Sequence, residues 1–140
     1  TIGTDHAPNN LDEKNRDYPD APSGFPGFET SLPLLLNEVN KNKLSLKKLE
    51  QFLSSNAADI FQIEKRGKIE KGYYADLTIV DMDKEFTVEP EKFHTKGKYS
   101  PFTHMVLTGD VYMTIINGEI GFQDGQFFST KGHEIDYTRT

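Results

Sequence analysis

One turn constrains this chain more than any other stretch. Val111 to Ile116, then Asn117-Gly118, then Glu119 to Phe122 makes two β-rich runs joined by two residues. Asn-Gly readily supplies the positive φ angles of a type I′ turn, so the flanking runs are expected to pair as adjacent antiparallel strands. Asp124-Gly125 offers a second tight turn before Phe127-Phe128. Leu77-Thr78-Ile79-Val80 is a further short β-rich run, ending at Asp81. An antiparallel sheet is therefore expected after about residue 63.

Before residue 63 the period is helical. Leu32, Leu35, Leu36 and Val39 recur at helical spacing, which predicts a helix over roughly 29–41 with Pro33 tolerated in its first turn. Ser45 suits the N-cap of a second helix carrying Leu46, Leu49 and Leu53 on one side. Ser55 or Asn56 suits the cap of a third, short helix through Phe61. None of the three brings visible chemistry. Residues 9–28 are rich in Asn, Asp, Pro and Gly and read as a long loop, of a length that is usually functional or disordered.

Composition bounds the partners. The 140 residues suffice for one ordinary core, and a mean hydropathy of -0.62 with 35% hydrophobic residues fits a soluble domain. No apolar run approaches the roughly 20 residues of a membrane span, and no signal-peptide pattern precedes the first motif. A cytoplasmic protein is expected. There is no cysteine, so disulfides and thiolate metal sites are excluded and any metal must use His or carboxylate. A net charge of -6 argues against a nucleic-acid binder, and the lysines of 41–48 read as a solvated helix surface.

Chemistry concentrates at the beginning. In Thr1-Ile2-Gly3-Thr4-Asp5-His6-Ala7-Pro8 a β-rich run meets an Asp-His pair and is stopped by proline. A carboxylate at the carboxyl end of a strand is where barrel enzymes keep catalytic groups, and it can bind a metal or accept a proton. Asp5 has a simpler reading as the cap of a turn. His6 reads as a ligand, a hydrogen-bond donor or a packed ring. His94, His104 and His133 are scattered without metal-like spacing. Ala21-Pro22-Ser23-Gly24-Phe25-Pro26-Gly27 either lets backbone N–H groups approach a ligand or simply turns into the helix.

Taken in order, Thr4-Asp5-His6-Ala7-Pro8, Ala21-Pro22-Ser23-Gly24 and Gly27-Phe28-Glu29-Thr30-Ser31-Leu32-Pro33-Leu34-Leu35-Leu36 resemble the last barrel strand, loop and helix of the dihydroorotases, cyclic amidohydrolases of the amidohydrolase superfamily. Gly67 to Gly72 with Ala75 to Asp81 resembles the strand pair returning to the superfamily's small β domain. Lys96-Gly97-Lys98-Tyr99-Ser100-Pro101-Phe102, then Gly109 and the strand 111–118, resembles the segment that closes cyclic amidohydrolases.

The resemblance implies an α/β fold class: the last strand and helices of a (β/α)8 metallo-hydrolase barrel over residues 1–62, then part of a small β-sandwich domain over 63–140. It implies a zinc-dependent enzyme that reversibly closes N-carbamoyl-L-aspartate to dihydroorotate, in pyrimidine synthesis. Asp5 would be the catalytic residue, contacting zinc and carrying a proton from the attacking water to the leaving amide nitrogen. Asn9, Ser23 and Gly24 would bind substrate. In dihydroorotases the motif usually reads Asp-His-Ala-Pro-His, its final His helping to bind the substrate carboxylate; this chain has Asn9 there, with shorter reach and no charge.

The same resemblance implies that the remaining ligands of a binuclear zinc site lie on earlier strands. A barrel needs about 250 residues, and this sequence opens without a methionine, as if cut inside a strand. It therefore reads as the carboxyl-terminal piece of a larger enzyme, inactive alone, whose expected partners are the N-terminal portion, a small-molecule substrate and a further copy in a homo-oligomer, with aspartate transcarbamoylase as a candidate. Three alternatives stay open: an allantoinase- or dihydropyrimidinase-type enzyme, a non-catalytic dihydroorotase-like scaffold subunit, and a free-standing β-rich binding module over 63–140.

Overall fold

The computed structural model describes residues 1–137. Four helices come first: α1 (Leu11–Lys14), α2 (Phe28–Asn40), α3 (Leu46–Glu50) and α4 (Asn56–Ile60), with a π-helical turn, Gln51–Ser55, between the last two. Four strands follow, β1 (Leu77–Thr87), β2 (Val106–Ile116), β3 (Glu119–Gln123) and β4 (Gln126–Phe127), pairing antiparallel in the order β1-β2-β3-β4.

The turns form where the sequence places them. Asn117 (φ 50°) and Gly118 (φ 84°) join β2 to β3, and Asp124 (φ 44°) and Gly125 (φ 81°) join β3 to β4. The first turn is also tied from outside, because Asp76 Oδ1 accepts from Asn117 N at 2.7 Å and Arg66 donates to Asn117 Oδ1 at 3.3 Å. Arg66 in turn pairs with Asp76 and lies 4.3 Å from the Tyr74 ring centre.

Several expectations are corrected. Thr1 to Thr4 do not form a strand: among the described residues no strand lies beside them, and Ile2 N donates instead to Phe52 O at 3.1 Å. A strand exists only through a hydrogen-bonded neighbour. Ser55 does not cap a separate helix. Its backbone is helical (φ -61°), its hydroxyl bonds Glu50 at 3.2 Å, and the π-helical turn carries α3 into α4 without a break. Ser45 does cap α3, accepting from Lys48 N at 3.2 Å. The lysines of 41–48 are exposed, although Lys41 and Lys43 sit in the turn before that helix. β1 runs past Asp81 because the Asp81 carboxylate accepts from Asp83 N and Lys84 N, absorbing an irregularity after which pairing resumes at Glu85. β2 starts at Val106, upstream of the expected Val111.

The core lies where α2 crosses β2. Leu36 (1% exposed), Leu107 (0%) and Val88 (1%) are among the fully buried side chains, each contributing about 1.5–3 kcal/mol by leaving water. Gly109, at φ 108°, makes the approach possible, since a Cβ there would lie 2.7 Å from Leu36 Cβ. The buried face of α2 is Thr30, Pro33, Leu36 and Asn37 rather than the whole leucine stripe. Polar side chains decide that rotation: Asn37 Oδ1 accepts from Thr108 N at 3.2 Å, while Asn40 Nδ2 donates to Met82 O at 2.7 Å and Thr108 O at 2.9 Å. Leu49, on α3, is buried, while Leu46 and, in the π-helical turn, Leu53 stay exposed.

Candidate active-site loop

The loop between residues 5 and 28 packs back on the motif that begins it. Asp5 takes φ 45°, a left-handed conformation that costs a non-glycine residue about 1–2 kcal/mol. Its carboxylate is exposed and, among the described residues, has no hydrogen bond or ion pair. Both neighbours are held. On one side Gly27 closes against Thr4, where a Cβ would come within 3.2 Å of Thr4 O. On the other, His6 Nδ1 accepts from Gly27 N at 3.0 Å and Phe28 N at 3.2 Å, and its ring stacks on Phe28 with centroids 3.8 Å apart and planes 8° from parallel. His6 is thus a packed hydrogen-bond acceptor through Nδ1.

The remaining expected site residues lie on the same loop. Ala7 N donates to Phe25 O at 3.1 Å. Gly24, at φ 88°, sits directly on Ala7, where a Cβ would fall 2.5 Å from Ala7 Cβ. Asn9 Nδ2 donates to Ser23 O at 3.1 Å, joining two of the expected substrate contacts to each other, while the Ser23 side chain is exposed. Among the described residues no hydrogen bond joins Asp5 to Asn9, Ser23 or Gly24; Ala7, packed on Gly24, lies between them.

Two residues outside the expected set complete the loop. Lys14, on α1, donates to Pro22 O at 2.6 Å and Gly24 O at 2.9 Å and lies 5.9 Å over the Tyr99 ring. α1 interrupts the long expected loop and is fixed by a reciprocal capping box, Glu13 N to Asn10 Oδ1 and Asn10 N to Glu13 Oε2. Burial, with Glu13 nearby, pushes the Tyr99 hydroxyl above its ordinary pKa. A lone lysine in a polar loop carries no sequence signal for this role; the asparagine three residues before a glutamate does signal the cap. On the far side of α2, Glu29 accepts from His94 N at 2.8 Å and Thr95 N at 2.9 Å. Burial opposes ionisation of this carboxyl, but the Thr95 and His94 bonds outweigh it and hold the pKa below the ordinary value.

Among the described residues no group of three or more His, Asp or Glu side chains converges as a metal site. Asp5 fits a metal as one oxygen donor, being exposed and without a partner, but Nδ1 of the adjacent His6 is already engaged. A cavity of about 880 Å³ lies elsewhere, between the first turns of α2 and the sheet, and Asp5 does not line it. Among the described residues no helix is long and apolar enough to cross a membrane.

Residues 1–121 match the model of the amidohydrolase family. The chain belongs to the amidohydrolase family. It is 44% identical over 128 residues to a dihydroorotase of Methanosphaera stadtmanae, covering 91% of this chain and 30% of that protein. It is similar in structure to a D-hydantoinase (dihydropyrimidinase) from Thermus sp., with a TM-score of 0.86 and 28% identity over 94% of this chain and 30% of that one. The inactive dihydroorotase-like domain of the Chaetomium thermophilum CAD-like multifunctional protein is a more distant neighbour, with a TM-score of 0.57 and 25% identity over 77% of this chain and 29% of that one. The chain thus spans about 30% of the length of these relatives. The amidohydrolase match includes Asp5, the loop of 9–28, the helices and most of the sheet.

Proposed function

We propose that this chain supplies one carboxylate and the substrate-facing loop of a zinc-dependent cyclic amide hydrolase of the dihydroorotase type, which a further portion of the same enzyme completes. In this reading the helical part through residue 62 belongs with the catalytic barrel, and 63–140 with a small β domain. The supporting observation is Asp5: an exposed carboxylate held in a left-handed turn by bonded neighbours and, among the described residues, free of hydrogen-bond or ion-pair partners. A zinc ion in the complete site would supply a Lewis acid that lowers the pKa of bound water to about 7. Asp5 would be one of its oxygen donors and would carry a proton from the attacking water to the amide nitrogen that leaves the ring. The Ser23-Gly24 backbone helps to hold substrate, and Asn9 fixes that backbone through its bond to Ser23 O.

Two observations favour related readings. The D-hydantoinase neighbour fits a dihydropyrimidinase-type substrate. Asn9, in place of the usual histidine, fits either such a substrate or a dihydroorotase-like scaffold without turnover. One experiment separates all three: the full-length protein is assayed with dihydroorotate, hydantoin and allantoin, and its zinc content is measured. Dihydroorotate turnover with bound zinc supports the dihydroorotase reading. Preference for hydantoin or allantoin moves the substrate class, and a metal-free protein without turnover overturns the enzymatic reading.

A further inference from the structure

α2 begins without a cap of its own. Its N-cap is Gly27, which has no side chain to accept the first-turn N–H groups, and a helix end leaves those donors without intrahelical partners. His6, far earlier in the chain, fills the gap: its Nδ1 accepts from both Gly27 N and Phe28 N. Because both amides point at Nδ1, that nitrogen carries a lone pair and the ring proton sits on Nε2. Stacking on Phe28 fixes the ring plane as well as the nitrogen. The residue immediately before it is Asp5, in a conformation a non-glycine side chain rarely adopts unless its surroundings impose it.

We propose that His6 is a positioning residue, which by capping α2 from outside holds the Asp5 carboxylate at its working position. This rests on the catalytic reading of Asp5 above. Three contacts surround the strained residue: Thr4 against Gly27, Ala7 N bonded to Phe25 O, and His6 bonded to the start of α2. The third is a side-chain hydrogen bond, and it joins the residue beside Asp5 to the helix that packs on the sheet. Asp5 is thereby referenced to the core instead of to the exposed loop. A glycine at 27 serves both purposes, since a Cβ there would press on Thr4 O while the absent side chain leaves the amides to His6.

The test uses the full-length protein with four variants. His6→Phe keeps an aromatic ring against Phe28 and removes the acceptor; His6→Asn places an amide oxygen where Nδ1 sits. The expected result for His6→Phe is a fall in kcat of at least about tenfold, KM within about threefold, and faster hydrogen exchange at the Gly27 and Phe28 amides. His6→Asn is expected to restore most of kcat and the amide protection. Should His6→Phe fail to fold, His6→Ala removes the acceptor without the large ring and takes its place in each comparison. Unchanged exchange at both amides overturns the proposal, and so does kcat within threefold of the parent. Equal loss in His6→Phe and His6→Asn also overturns it, because Nε2 would then act on the reaction directly. Asp5→Ala separates the two levels. Retained turnover in Asp5→Ala defeats the catalytic reading of Asp5; loss there with a fully active His6→Phe defeats only the positioning role.

Discussion

Gly24 and Gly109 each lie against the Cβ of another residue, with different surroundings. Gly109 lies on Leu36, 2.7 Å from a hypothetical Cβ, where α2 crosses the sheet near buried Leu107. Gly24 lies on Ala7 at 2.5 Å, in a loop otherwise held by Lys14, Asn9 and backbone hydrogen bonds. At the first, apolar packing sets the distance; at the second, polar atoms near solvent set it. A site built in the second way keeps its shape through a few directional bonds, so its geometry can be altered while the core stays intact. Asp5 lies in that second region and is tied to the first through the His6 bonds to the start of α2.

Substitutions can test this separation. The largest effect is expected from Asp5→Ala in the full-length protein: turnover falls by at least about 100-fold, while unfolding stability of the zinc-free protein changes by no more than about 0.5 kcal/mol, because among the described residues the carboxylate is exposed and without a partner. A clear loss of stability there would show that the two regions are not separable. Leu36→Ala should do the reverse, lowering stability by about 2–5 kcal/mol through the lost burial and the cavity left behind. Denaturant unfolding measures it, and a value near zero would remove α2 from the core. Gly109→Ala combines strain at φ 108° with a clash on Leu36 and is expected to cost about 2–3 kcal/mol.

Gly24→Ala has a similar clash but a softer surround, so about 1–2 kcal/mol is expected with a larger proportional loss of turnover. Equal stability losses at positions 24 and 109 would erase the contrast. The smallest effect is expected at Glu29. Its folded pKa lies below the ordinary 4.5, so its stabilisation is fully present above that pH and is lost as pH falls through the folded value. Glu29→Gln should cost about 1 kcal/mol at neutral pH, because solvent weakens the two bonds to His94 and Thr95. It should also flatten the acid limb of the stability profile below about pH 4.5; an acid limb identical to the parent's would exclude Glu29 as its source.

Much of this was legible before the structure, for identifiable reasons. Asn117-Gly118 and Asp124-Gly125 are local signals, decided by φ preferences that do not depend on distant residues. Ser45 as a cap and the extent of α2 are of the same kind. The Asp5 motif was recognisable from residue order, as was the family to which residues 1–121 belong. What escaped depended on partners remote in sequence. A strand at residues 1–4 needs a neighbour, and the Ile2 amide turns to Phe52 instead. The division of the leucine stripe on α2 was hidden because Asn37 and Asn40 reach main-chain atoms of the strands.

The site shows the same division. Asp5, Asn9, Ser23 and Gly24 stand out as residue types in a motif, but nothing in their order says that Asn9 bonds Ser23 O, or that His6 caps a helix starting more than 20 residues later. Local backbone preference and side-chain chemistry are written into neighbouring residues, so the sequence alone determined the turns, the helix α2, the antiparallel pairing and the motif that carries the family. The orientation of Asp5, the rotation of α2 and the approach of Gly109 to Leu36 were decided only by tertiary structure. Each depends on which distant donor, acceptor or Cβ arrives at the same point in space, and that is a property of the folded chain as a whole.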